Sequence, residues 1–476
     1  MLISNTLKYL PSQVLAPLSQ FLSIILWTYF ADEKLIGYIT LITAFQELAM
    51  AMFVNWWMHY AMREYGHFKQ QQQLSSFWQT SRCVIGVSSM IMVTAAVLNL
   101  MLFVDSSASL TVCLLVALYA VFRARNNFNA AIASLEQQIL RYSILTSAGP
   151  FVGLFIGVAL LYRFGSDPVY PLLGYVLGEM LAALLAHQRQ HIRFSWRPDY
   201  QTVKQALHYG SPMIGAALCA WLILQYPRYF IAGSLSLEQA GLYAVGVGLG
   251  LRIASLITMM VTPAALPLLF KLVHEQGQQA AVAQLQHNLL LLLVVLLPGL
   301  LGLYAIMPVL VPVLVEQRFV DATLQVMPWA LLAGGIEAVK NGYLNHYFFI
   351  HKKTASIFIY DTAMAAAVVA LCFFMVDYFG IQGGAMATAA ALAAGIGGIL
   401  LWLVLSSRVR LPYLNILKTA LAATVMFLLV DKVSAADAVS ALALKIFVGA
   451  LSYTALMLLM FRQDISGLIR LRHSAG

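Results

Sequence analysis

The feature that most limits what this chain can become is an interval. Apolar stretches of 20 to 25 residues recur along nearly all of its 476 residues, with only short polar segments between them. A helix rises about 1.5 Å per residue, so each stretch is long enough to cross a hydrocarbon layer of about 30 Å. In lipid, the backbone N–H and C=O groups of such a segment must be satisfied within it, which selects the α-helix. Composition agrees: 61% of the residues are hydrophobic and 10% charged, with a mean hydropathy of +0.81, whereas roughly a quarter of a soluble chain is charged. The expected fold class is an all-α polytopic membrane protein.

The pattern predicts about fourteen spans, at 9–29, 36–60, 83–104, 109–133, 143–162, 168–187, 209–230, 239–268, 288–314, 326–349, 354–376, 382–405, 413–430 and 439–461. The fourth contains "RARNN" at 123–127, and the ninth is interrupted by Pro298, Pro308 and Pro312. With the N-terminus cytoplasmic, 18 Lys and Arg fall on the cytoplasmic side and five on the outer side, namely Lys34, Arg163, Arg228, Arg318 and Lys432. That bias favours a multi-pass protein with both termini inside. It also accounts for the net charge of +9, which is spread over short loops and forms no arm or patch for nucleic acid. The N-terminal "MLISNTLKYLPSQVLAPL" runs directly into the first span without a small-residue cleavage site, so no removable signal peptide is expected.

A weak internal repeat organises the spans. "KYLP" (8–11) and "HYGSP" (208–212) each place a proline in the first turns of a span, and at an offset of 205 residues Glu33 and Tyr38 match Glu238 and Tyr243. Two pseudo-symmetric six-helix lobes are expected, 1–190 and 209–407, joined by a cytoplasmic linker at 191–208, with two additional helices and a tail at 408–476. The same offset aligns Glu47 with Arg252, so a site between the lobes would carry an acid on one side and a base on the other.

Several chemistries are excluded by spacing. The chain has no G-x-x-x-x-G-K-[ST] loop. Gly246, Gly248 and Gly250 form G-x-G-x-G after a membrane loop, which is not a dinucleotide fingerprint, and read as packing or bending points in a helix. G-x-S-x-G and H-E-x-x-H are absent, and Cys83, Cys113, Cys219 and Cys372 lie singly in apolar segments with no CxxC pair. The longest loops, about 61–82 and 188–208, are too short to hold a sugar donor. An enzyme is therefore not favoured, and no metal or cofactor is expected.

What remains is charge inside the membrane, which costs about 2.5 to 3.5 kcal/mol per residue without a partner or water. Five of the 28 cations fall within spans: Arg123, Arg125, Arg252, Lys340 and Lys445, the last near enough to an end to snorkel. Arg252, about a dozen residues from either end of its predicted span, is placed near the midplane, as a salt-bridge partner or a cavity-lining residue, unless the span boundary is displaced. Arg123 and Arg125 line a watery face or mark a helix end, and Arg228, flanked by Tyr226 and Tyr229, suits an interfacial belt or a binding site. Lys340 could be neutralised by Glu337 at i−3 or face a cavity. The acids Glu47, Glu179, Glu337 and Asp361 are candidates for proton or cation coupling, or for pairing with these bases. Deep cations in both halves fit a cavity that receives an anionic ligand such as a phosphate or diphosphate.

Four stretches, "YFIAGSLSLEQAGLYAVGVGLGLRIASLITMMVTPAALPLLFKL" (229–272), "ADEKLIGYITL" (31–41), "EQRFVDA" (316–322) and "GIQGGAMATAAAL" (380–392), resemble polysaccharide flippases of the Wzx type. These belong to the multidrug, oligosaccharidyl-lipid and polysaccharide exporter superfamily. The resemblance extends through span twelve and implies two six-helix lobes around a central cavity with alternating access. It implies transfer of an undecaprenyl-diphosphate-linked oligosaccharide from the cytoplasmic to the periplasmic leaflet for O-antigen or exopolysaccharide assembly, with a polymerase and a chain-length regulator as partners. It further implies that Arg252, and less directly Lys340, Arg123, Arg125 and Arg228, receive the diphosphate. The related lipid II flippases carry arginine in the first span, whereas "YLPSQVLAPLSQFLSIILWTYF" has no basic residue after Lys8, which argues against lipid II. The remaining alternatives are a cation-coupled exporter of small molecules using Glu47 and a membrane scaffold in a polysaccharide synthase assembly.

Overall fold

A computed structural model of the chain describes residues 18–187, 198–259, 262–406 and 411–462. "KYLP", Arg193 and Arg197 of the expected linker, and the tail cations Arg470 and Arg472 lie outside the described residues. Among the described residues the secondary structure is helical throughout, with no strand. The helices are α1 (Leu18–Phe30), α2 (Glu33–Phe53), α3 (Asn55–Gln70), α4 (Leu74–Val104), α5 (Leu110–Leu135), α6 (Ile139–Phe164) and α7 (Val169–Leu185). They continue as α8 (Tyr200–Leu224), α9 (Tyr226–Ser234), α10 (Leu237–Met259), α11 (Thr262–Gln276), α12 (Gln278–Leu314) and α13 (Gln317–Ile350). The last four are α14 (Thr354–Phe379), α15 (Ile381–Leu405), α16 (Tyr413–Asp431) and α17 (Ala438–Met460).

Eleven of these are long and apolar enough to cross a membrane, and two shorter apolar helices, α1 and α7, stand at the first and sixth predicted spans. The fourth predicted span is α5, whose polar "RARNN" lies inside the helix. This is a multi-pass membrane protein.

Three boundaries differ from expectation. The segment 61–82, expected as a loop, is helical except for a turn at 71–73, where Gln72 takes φ 58°. The span expected at 239–268 continues further, its described residues falling in α10 and in α11, which runs to Gln276, with Pro263 in the first turn of α11. The ninth span runs as one 37-residue helix through Pro298, Pro308 and Pro312. Proline leaves the carbonyl four residues back without its N–H, and the carbonyl freed by Pro298, that of Val294, is capped at 2.7 Å by the Tyr453 hydroxyl.

The chain packs as two units, one of residues 1–245 with 365–384 and the other of 246–364 with 385–476. In the first, α6 and α7 are the most closely packed pair. Gly149, Gly153 and Gly157 on α6 recur every fourth residue and face Gly174 and Gly178 on α7, where a Cβ would collide with backbone of the other helix. Without a hydrophobic drive between helices in lipid, such close backbone approach is what van der Waals packing requires. Gly37 on α2 and Gly241 on α10 make a second crossing of the same kind, each lying against the other helix's backbone. These two glycines sit in the paired repeat segments identified from the sequence. An aromatic core of Trp57, Tyr60, Tyr65, Phe68, Phe77 and Trp78 fixes α3 against α4.

In the second unit α12 is the central helix, packed against α11, α13, α16 and α17. The C-terminal half of α10 lies on α13, with Gly246 against Val326 and Gly250 against Ala330, which bears out the packing role of these glycines. Lys445, expected to snorkel, is instead buried. Its ammonium donates to the carbonyl of Val430, at the C-terminal end of α16, at 3.1 Å, and lies 3.5 Å from that of Ala305. A cation at a helix C-terminus completes the carbonyls that the helix leaves unpaired.

Candidate functional site

The intramembrane charges are positioned by helical periodicity. On α5, successive residues turn by 100°, so Arg123 and Arg125 point to opposite faces while Asn126 and Asn127 share the face of Arg123. Arg123 Nη1 donates to Glu179 Oε1 at 3.0 Å, and Asn126 Nδ2 donates to Glu179 Oε2 at 2.7 Å and to its backbone carbonyl at 2.8 Å. Glu179 is 3% exposed and Arg123 31%. The close approach of α6 and α7 makes this possible, since Gly149 leaves room for the Glu179 carboxylate against it. Asn126 was not anticipated from the sequence; its i+3 spacing from Arg123 was the available signal.

The exposed part of Arg123 faces a cavity of about 300 Å³ lined by Thr43, Gln46, Glu47, Tyr119 and Asn127 among others. Glu47, on α2, accepts from Gln225 Nε2 at 3.1 Å. Gln225 stands at the break between α8 and α9, which is fixed to α2 by Trp221 Nε1 donating to the Ala44 carbonyl at 2.8 Å and by Tyr229 donating to that of Leu41 at 2.7 Å. Glu47 and Arg123 line this chamber, and Arg123 links it to the buried Glu179. Counting the buried Glu179 with Glu47, two carboxylates accompany one guanidinium.

In the second unit the expected i,i+3 pairing of Lys340 with Glu337 gives way to a longer-range one. Lys340 Nζ lies 2.8 Å from Asp361 Oδ1 on α14, with the side chains 5% and 8% exposed. The cause is local: residues 340–344 form a π-helical turn inside α13, which rotates Lys340 relative to the turn before it. Glu337 is half-buried.

Arg252 is half-buried on α10. Arg228 is half-buried on α9 directly after Pro227. Arg125 is exposed on the other face of α5 and lines a different cavity, with Arg82 and Arg141. The structure therefore groups Arg123, Glu47 and Glu179, pairs Lys340 with Asp361, and separates Arg125 from the first set.

The fold is shared with solved flippases and transporters. It matches the lipid II flippase MurJ in its inward closed conformation with a TM-score of 0.76 at 14% identity, covering 96% of this chain and 99% of that one. It is also similar to a multidrug resistance MATE family transporter of the MOP superfamily in an inward-facing conformation, with a TM-score of 0.52, 13% identity and coverage of 83% and 97%. A MOP superfamily transporter from Pyrococcus furiosus, described as having a binding pocket of reversed polarity, gives a TM-score of 0.52 at 12% identity, covering 84% of this chain and 92% of that one. Residues 35–324 match the polysaccharide biosynthesis protein family, and the chain belongs to it. No curated protein matches the sequence.

Proposed function

We propose that the protein carries an undecaprenyl-diphosphate-linked oligosaccharide from the cytoplasmic to the periplasmic leaflet of the bacterial inner membrane by alternating access, for O-antigen or exopolysaccharide assembly. The observation that carries this reading is membership of a polysaccharide biosynthesis family on a fold shared with a lipid flippase. No chemical step is assigned to it: the polymerase and the chain-length regulator that act on the delivered unit are separate partners, and both termini are cytoplasmic.

The charges divide this task. Arg252, within the segment 229–272 that resembles polysaccharide flippases, is the cation proposed to receive the diphosphate. Arginine suits it, because its charge does not titrate and its fork holds two phosphate oxygens. The carboxylate excess around Glu47 and Glu179 supports proton or cation coupling in the first unit. The same excess favours a second reading, a cation-coupled exporter of small molecules.

The test is replacement in a host whose surface polymer depends on this protein. Arg252→Ala abolishes surface polymer while the protein remains in the membrane, and Glu47→Gln removes the dependence of export on the ion gradient. Normal polymer with Arg252→Ala removes that residue from the mechanism. Drug resistance that depends on Glu47, with no change in polymer, assigns the exporter function instead. Rescue of a strain lacking its lipid II flippase overturns the oligosaccharide assignment.

A further inference from the structure

A cavity of about 1130 Å³ within the first unit is not used by the transport reading. It lies between α4, α5, α6 and α7 and shares no lining residue with the chamber around Glu47 and Arg123. At the upper limit of ordinary ligand sites, which span roughly 300 to 1,000 Å³, it has room for a lipid-sized occupant.

Its charge is one-sided. Arg82, Arg125, Arg141 and His187 line it together with no Asp or Glu. Arg82 lies near the start of α4, Arg125 in the second half of α5, Arg141 at the start of α6 and His187 just past the end of α7. In four successive antiparallel helices these positions share one end of the bundle. Arg141 is already held in place, Nε donating to the Ala186 carbonyl and Nη1 to Gln138 Oε1, each at 3.1 Å. At the same end Ser81 is wholly buried, and its hydroxyl has no hydrogen-bond partner. A buried hydroxyl left without an acceptor is a costly arrangement unless something fills the space beside it.

Away from that end the walls turn apolar, with Ile85, Val93, Leu114, Leu118, Val121 and Leu145. From Arg82 to Thr94 on α4, and from Arg125 back to Leu114 on α5, the lining runs roughly 16 to 18 Å. That is about half the hydrocarbon thickness, the depth of one leaflet.

We propose that this groove binds an anionic phospholipid, its phosphate held by Arg82, Arg125 and Arg141 with Ser81 donating to a phosphate oxygen, and one acyl chain lying along the apolar wall. Basic pockets between transmembrane helices recognise such headgroups through charge-assisted hydrogen bonds. The length of the groove selects a phospholipid, because an undecaprenyl chain is several times longer.

Native mass spectrometry of the purified full-length protein tests this, using phosphatidylglycerol, phosphatidylcholine with the same acyl chains, undecaprenyl phosphate and inorganic phosphate as probes. Phosphatidylglycerol is retained in preference to phosphatidylcholine, and Arg82→Gln and Arg125→Gln each weaken its retention about fivefold. Gly86→Phe weakens retention without altering charge, since a Cβ at Gly86, which lines the cavity, meets no atom within 4 Å. Equal retention of the two phospholipids, or wild-type retention by all three variants, overturns the proposal. Tighter binding of undecaprenyl phosphate overturns the choice of a phospholipid, and displacement by inorganic phosphate at equal concentration reduces the groove to a simple anion site.

Discussion

Asp361 and Lys340 show how much a single buried pair constrains a membrane helix. Replacing one partner leaves the other charged and without water, a loss of about 3 to 5 kcal/mol, whereas replacing both by apolar residues of similar volume is close to neutral. Asp361→Asn is therefore expected to lower the thermal stability of the detergent-solubilised protein sharply, and Lys340→Met combined with Asp361→Leu to recover most of it. A double-mutant cycle measures the coupling, and additive losses would show that the pair is not energetically linked. The Arg123 pair is less severe, because its guanidinium still reaches the polar chamber. The sequence identified Lys340, Asp361, Arg123 and Glu179 as exceptional. It did not supply their partners, because Asp361 is 21 residues beyond Lys340 and Glu179 is 56 beyond Arg123.

At the level of elements, the same residue type has opposite consequences at different sites. Gly174→Leu forces α6 and α7 apart and is expected to cost about 1 to 3 kcal/mol or more, while Gly398→Leu on α15, where a Cβ meets nothing within 4 Å, is expected to leave stability unchanged. Unfolding of the two variants side by side checks the contrast; equal stability would mean the glycine pairing contributes nothing. Helix ends add a pH dependence. Asp199 caps α8, accepting from the Thr202 hydroxyl at 2.6 Å and the Gln201 N–H at 3.0 Å, and these bonds, that of Thr202 foremost, hold its carboxyl below the usual range. A depressed folded pKa gives stability that is complete above the unfolded value of about 3.9 and lost as pH falls through the folded one. Asp199→Ala should cost about 1 kcal/mol near neutral pH, and the difference from wild type should vanish in strong acid. A difference independent of pH would rule out the carboxylate as the cap.

For the molecule as a whole, orientation is the property most open to a direct check. The excess of Lys and Arg in alternate loops predicts that the turn between α3 and α4 is cytoplasmic and that between α6 and α7 is outside. Ser166→Cys is expected to react with a membrane-impermeant maleimide in intact cells, and Gln71→Cys only after permeabilisation. The reverse pattern would invert the topology and with it the proposed direction of transport. Packing also divides the chain in a manner that cuts through helices: α10, α14 and α15 each contribute to both units.

The sequence by itself determined the material and the parts: an all-helical membrane protein, the approximate positions of its spans, the family resemblance and the set of anomalous charges. These are legible because lipid imposes a local rule, a minimum apolar length with every backbone bond made inside it, and because an ionised side chain in that length is rare. Tertiary structure alone decided which charges neutralise one another, that Arg123 and Arg125 serve different cavities, and that Lys445 is sealed by carbonyls instead of reaching the interface. Each of these depends on contacts between helices distant in sequence, where close packing through glycine and the rotation introduced by a π-helical turn set the geometry, and neither leaves a periodic signal in the chain.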